Sequence, residues 1–203
     1  MKRVWLLAAM LTLLFGDEMK VCESEQDKMS GCVERGYYDN GNLLREIPYK
    51  NNMIEGVLRE YYPSGALKVE IPIRNDRREG LLQEYYPSGA LKGEASFKKD
   101  KKDGWLRFYY ESGAIQTEAF FKNGKADGRS SAYYENGRLA AETTYKNGKS
   151  SGEEKWYDQK GDLRVSIIYR DGEPVSGKCA NGKILTNAHL QNLKRKGIAP
   201  SCD

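Results

Sequence analysis

Residues Gly56–Glu79 read GVLREYYPSGALKVEIPIRNDRRE. Val57 to Tyr62 form a short run rich in β-formers, and Pro63, Ser64 and Gly65 interrupt it. Proline presets φ for a turn and glycine accepts a positive φ, so this stretch predicts a hairpin loop. Leu67, Val69, Ile71 and Ile73 then alternate with Lys68, Glu70, Pro72 and Arg74. Strict alternation is the mark of a strand with one buried face. Asn75 to Glu79 read as a polar return loop, and Gly80 opens the next unit.

The same pattern recurs with a step of 24 residues. Tyr37, Tyr61, Tyr85, Tyr109, Tyr133 and Tyr157 keep it, as do Gly41, Gly65, Gly89, Gly113, Gly137 and Gly161. A second glycine series runs through Gly56, Gly80, Gly104, Gly128 and Gly152. Drift-free repetition of this kind marks an array of stacked units rather than a globule around one pocket. Six two-strand units between residues 32 and 177 predict an all-β fold of about twelve strands. They form one elongated, twisted antiparallel sheet that advances about 9.6 Å per unit. Leucine-rich repeats share the period range, but the L-x-x-L-x-L pattern is absent.

Paired tyrosines follow each first strand, at Tyr61-Tyr62, Tyr85-Tyr86, Tyr109-Tyr110 and Tyr133-Tyr134. Neighbours on a strand point to opposite faces, so both faces are expected to carry an aromatic row. One row lies near Glu46, Glu70, Glu94, Glu118 and Glu142, with Lys68 and Lys92 two residues before their glutamates. Two readings stand. The row is a set of cross-strand ladders, each pair contributing roughly 0.2–1 kcal/mol, or it is a Tyr/Glu stripe that grips a partner. On the second reading Tyr62, Tyr86, Tyr110 and Tyr134, with Trp105 and Phe108, are the partner contacts, because interface energy concentrates in aromatic residues and Arg.

The ends depart from the period. In the sixth unit Asp158 replaces the second tyrosine, Trp156 precedes Tyr157 and Ser166 replaces the glutamate, as expected of a unit that closes a stack. Residues 178–203 read as a C-terminal cap, with a short helix from Thr186 or Asn187 to Lys196 covering a sheet edge. Lys2 and Arg3 precede an apolar run from Val4 to Phe15, the pattern of a signal peptide over residues 1–16, or to about 21. An uncleaved anchor, or a lipid on Cys22, is the alternative. Four cysteines flank the array, and export favours two disulfides. Of the three pairings, the local one joins Cys22 to Cys32 and Cys179 to Cys202.

No site chemistry stands out. The one histidine, His189, falls in the expected helix without an acid–base partner. Nucleophile-elbow, Walker A and H-E-x-x-H motifs are absent, and the Asn-Gly-Lys loops lack the spaced oxygen ligands of a calcium site. The cysteine spacing does not match a zinc site. The expectation is a non-enzyme with no cofactor and no metal. The 33 basic and 29 acidic residues alternate closely to a net charge of +4, so no nucleic-acid partner is expected. A mean hydropathy of −0.75 fits a soluble mature chain.

The unit G-x-x-x-x-Y-Y-x-x-G-x-L-x-x-E, closed by loops such as Lys122 to Gly128, resembles the MORN-variant repeat, the MORN-2 type of bacterial YwqK-like proteins. The resemblance implies an open array of β-hairpins and protein interaction as the general role. YwqK-like proteins are often labelled antitoxins, a label at odds with an export signal. The expected function is therefore an exported scaffold, periplasmic or secreted, binding an unidentified protein through its sheet face. The alternatives are an envelope- or membrane-associated structural protein and an immunity protein against a toxin.

Overall fold

The computed structural model describes residues 19–196 and Cys202; the expected signal peptide, residues 1–16, lies outside them. Sixteen strand segments form one antiparallel sheet of thirteen rows in chain order, from Cys32–Tyr37 at one edge to Glu173–Cys179 at the other. Met53–Ile54, Arg77–Arg78 and Lys149–Ser150 are short lead-in segments of their rows. Beyond them Glu55, Glu79 and Ser151 bulge, each amide donating across to Pro48, Pro72 or Thr144. The polar return loop expected over Asn75–Glu79 is thus much shorter. Asn75 and Asp76 alone turn, both at positive φ, while Arg77 and Arg78 already pair with Arg74 and Ile73. Two positive-φ residues make the hairpin turn whose twist matches that of the strands.

Each hairpin is stitched to its neighbours along both rims. At one rim the second residue of a turn donates to the preceding hairpin: Asp76 to Ile54, Asp100 to Arg78, Gly124 to Lys102, Gly148 to Ala126 and Gly172 to Ser150. Among the described residues the first turn has no hairpin before it. There a six-residue helix α1, Glu25–Ser30, supplies the carbonyls of Met29 and Lys28 to Asn51 and Asn52. Helix α1 was not anticipated, although Ser24 and Asp27 form a full capping box.

The two faces differ. Cross-strand register places Arg35, Glu46, Arg59, Glu70, Gln83, Glu94, Arg107 and Glu118 in one transverse row. We call this side the ladder face. The opposite face carries Ile47, Leu58, Ile71, Leu82, Ala95, Leu106 and Ala119. Both helices sit on that second face, at its two ends. Lys28 of α1 lies 4.8 Å over the Tyr49 ring. Helix α2, Asn187–Lys196, buries Leu190 and Leu193 with Leu185 against Val165, Ile167 and Cys179. Gly177 allows this approach, since a Cβ there would stand 2.7 Å from Leu185 Cδ1 and 2.9 Å from the Ser166 carbonyl oxygen. The main buried cluster therefore lies under the C-terminal cap, and the middle of the array is a single layer.

Both disulfides form as the local pairing predicts, with Cα–Cα distances of 5.1 Å for Cys22–Cys32 and 5.7 Å for Cys179–Cys202. Each ties an outermost strand to the chain folded beside it. Val33 exchanges backbone bonds with Lys20 and Cys22 at one edge, and Gly177 and Cys179 accept from or donate to Leu185 and Lys183 at the other. An open edge is a template for association, so these returns blunt it. A sulfur held in the Cys22–Cys32 bridge is not free to carry a lipid. Among the described residues no helix is long and apolar enough to cross a membrane.

Candidate interaction surfaces

The two tyrosines of each unit do different work. The first reaches back across the ladder face to the glutamate of the preceding unit. Tyr61 donates to Glu46 at 2.8 Å, Tyr109 to Glu94 at 2.9 Å, Tyr133 to Glu118 at 2.9 Å and Tyr157 to Glu142 at 2.7 Å, with Tyr85 to Glu70 longer at 3.4 Å. Tyr37, which belongs to the first unit of the array among the described residues, is 59% exposed. Burial pushes the Tyr61 and Tyr157 hydroxyls up to about 12, and the bonded carboxylates add to the shift. Burial likewise raises Tyr85, Tyr109 and Tyr133. An anionic tyrosine would face a carboxylate in a partly desolvated place, so the neutral phenol is favoured.

The glutamates also take an arginine each. Arg35 pairs with Glu46 at 3.0 Å, Arg59 with Glu70 at 2.8 Å, Arg107 with Glu94 at 3.1 Å and Arg129 with Glu142 at 2.8 Å. The lysines expected beside these glutamates turn elsewhere: Lys68 pairs with Glu60 at 3.7 Å and Lys92 with Glu84 at 2.6 Å. The cause is a register shift at the strand ends, between Glu60 and Tyr61 and between Glu84 and Tyr85, which resets the alternation.

The second tyrosines reach forward. Tyr38 donates to the carbonyl of Tyr61 at 2.7 Å, Tyr62 to Tyr85 at 2.8 Å, Tyr86 to Tyr109 at 2.7 Å, Tyr110 to Tyr133 at 2.8 Å and Tyr134 to Tyr157 at 2.8 Å. They sit beyond the strand ends, in the hairpin loops, so the opposite-face rule does not govern them. Four of the six predicted partner contacts, Tyr62, Tyr86, Tyr110 and Tyr134, thus have their hydroxyls engaged in joining units. In the sixth unit Asp158 takes the place of this tyrosine and accepts from Lys160 and Asp162 of its own loop.

Trp105 and Phe108 lie on opposite faces. Phe108 covers Gly93, where a Cβ would stand 2.8 Å from its ring. The equivalent pair one unit earlier is Val69 across from Glu84. Phe108 and Gly93 therefore depart from the period together, as a large-for-small exchange. Trp105 belongs to the ladder face. It packs edge-on to Phe120 at 5.4 Å between ring centroids, and the Arg107 guanidinium lies 5.0 Å over its ring. Trp105 is 39% and Phe120 36% exposed. Phe120 and Arg107 were not anticipated; the aromatic at Phe120, where the other units carry Pro48, Pro72, Ser96, Thr144 and Ile168, was the signal. Among the described residues no cluster of His, Cys, Asp or Glu could hold a metal ion.

The repeat variant of the MORN family matches residues 33–51, 54–75, 78–99, 102–123 and 126–147, five successive hairpins that fill more than half of the chain. The chain belongs to the MORN repeat variant family. The sixth MORN-like hairpin, Gly152–Tyr157 with Leu163–Arg170, falls outside the match but keeps the same fold. No curated protein matches. Among solved structures, a mutant of S. aureus TarM in complex with fondaparinux, alpha-GlcNAc-glycerol and UDP is 12% identical at a TM-score of 0.26, over 57% of this chain and 21% of that one. Accessory secretory protein 1, 2 and 3 in Streptococcus pneumoniae is 11% identical at a TM-score of 0.20, over 81% and 22%. The chain spans about a fifth of each of these structures, and likeness at that level carries no argument.

Proposed function

We propose that this MORN repeat protein is an exported, non-catalytic scaffold that binds a protein partner through the ladder face of its sheet. The observation that carries this reading is the half-exposed Trp105–Phe120 pair with Arg107 stacked on it, mid-way along a single-layer sheet. Trp and Arg are the residues on which interface energy concentrates. Everything around the pair is satisfied internally: the carboxylates by arginine and tyrosine, the loop tyrosines by carbonyls. The two disulfides support an oxidising compartment, periplasmic or extracellular.

The test is cross-linking capture from intact cells with the wild type and with Trp105→Ala/Phe120→Ala. The partner captured by the wild type is expected to be lost in the variant while circular dichroism is unchanged. Equal capture overturns the assignment to this face. Tyr86→Ala or Tyr110→Ala is a poorer test, because it also cuts a bond between units. Sequencing the mature N-terminus checks export: a soluble product starting near residues 17–22 supports it, and an intact N-terminus in the membrane fraction overturns it. A toxin is one class of partner this reading admits, in keeping with the YwqK-like antitoxin resemblance, and co-expression with a neighbouring toxin-like gene tests that role.

A further inference from the structure

The rim made by the two-residue turns carries a charge pattern that the sheet does not need. Cross-strand register sets Arg74 opposite Arg77, Lys98 opposite Lys101, Lys122 opposite Lys125 and Lys146 opposite Lys149. Like charges directly opposite each other destabilise a strand pair. All eight side chains are exposed, and among the described residues none of them forms an ion pair. The nearby carboxylates are engaged elsewhere: Glu79 accepts from Lys99 N–H, Asp103 from Asn123 N–H, and Asp100 from both the backbone N–H and the guanidinium of Arg78. The close alternation of charge along the chain is thus sorted in space, and four successive turns present one basic row.

We propose that this rim docks an extended acidic polypeptide whose carboxylates recur at every third residue. The proposal names the chemistry of the partner and rests on the reading that the partner is a protein. The row advances by two strands per unit, about 9.6 Å. A polyproline II chain repeats every three residues, about 9.3 Å, so its acidic side chains keep step with Lys101, Lys125 and Lys149. The glycines of the following turns, Gly124, Gly148 and Gly172, lie beside the stems of these lysines, where a Cβ would stand 3.5–3.7 Å away. The turns carry no aromatic side chain on which a nucleobase would stack, which disfavours single-stranded nucleic acid.

The probe is a labelled proline-rich peptide with glutamate at every third position, long enough to span the four turns. The control is a peptide of equal composition with its glutamates in one block. By fluorescence anisotropy at low salt the periodic peptide is expected to bind more tightly than the block peptide. Lys101→Glu/Lys125→Glu/Lys149→Glu should weaken it by about tenfold or more, and added salt should weaken it too. Trp105→Ala, which tests the ladder face alone, should bind the peptide as the wild type does. Equal binding of the two peptides, retention by the triple variant, or loss in Trp105→Ala overturns the rim assignment. Tighter binding of duplex DNA or of anionic vesicles in parallel titrations overturns the polypeptide.

Discussion

The hydroxyl of Tyr86 donates to the carbonyl oxygen of Tyr109 at 2.7 Å, one unit further on. Tyr86→Phe keeps the ring and removes only this bond. A net loss of about 1 kcal/mol is expected. For a chain of this size that corresponds to about 2–4 °C in Tm. Thermal denaturation of Tyr86→Phe checks it; an unchanged Tm would show that the bond contributes nothing beyond water.

The part-buried tyrosines, bonded to glutamates, set an alkaline limit. The Tyr61 and Tyr157 hydroxyls are pushed up to about 12, above the ordinary value of 10.0. A group whose folded value is raised keeps its contribution below the unfolded value and loses it as pH rises through the folded one. Stability is therefore expected to fall from pH 10 towards 12, as tyrosinate forms more readily in the unfolded chain. Spectroscopic titration alongside urea denaturation tests this, and a flat stability across that window would refute it.

Gly93 and Phe108 are a matched pair. Gly93→Val drives a side chain into the Phe108 ring and is expected to cost about 1–3 kcal/mol, the usual penalty for overpacking. Adding Phe108→Glu reproduces the pair one unit earlier, Val69 across from Glu84, and should recover most of the loss. A double-mutant cycle measures the coupling. Additive single effects would show that the two positions do not depend on each other.

The C-terminal cap hinges on Gly177. Any Cβ there meets Leu185 and the Ser166 carbonyl at under 3 Å, so Gly177→Ala must lift the cap from Val165 and Ile167. Hydrogen exchange is expected to rise over Leu185, Leu190 and Leu193 while the strands from Gly56 to Tyr133 stay protected. Unchanged protection of the cap would mean that the contact relaxes without loss.

Limited reduction should act at the ends alone. Each disulfide closes a short loop, of sequence separation 10 and 23. Removing such a bridge typically costs about 2–4 kcal/mol. The variant Cys22→Ser/Cys32→Ser is expected to expose the strand Cys32–Tyr37 and to self-associate with concentration. Size-exclusion chromatography that shows only monomer would count against an edge-blunting role.

The two-strand unit, the loop glycines and both disulfide pairs were legible in the sequence, because periodicity and turn chemistry are local signals. The roles of the tyrosines were not. Tyr61 and Tyr62 look equivalent along the chain, yet the register shift after Glu60 sends one back to Glu46 and the other forward to Tyr85. Pairing across strands is set by register, and a bulge resets the alternation without any marker residue. Trp105 was visible as a departure, but its partner Phe120 is fixed only once the strands align. Helix α1 was readable from Ser24 and Asp27; its use as a stand-in for a missing turn was not.

The stitches at both rims never reach past the adjacent hairpin. Deleting residues 80–103 would join Glu79 to Gly104 and bring the Tyr62 hydroxyl to the Tyr109 carbonyl in place of that of Tyr85. The bonds between tyrosine and carbonyl would have a replacement of the same kind, whereas Arg78 would lose the Asp100 carboxylate, because Gly124 stands in its place. The molecule is thus a measure of distance whose length changes in fixed increments, with neither end aware of how many increments lie between.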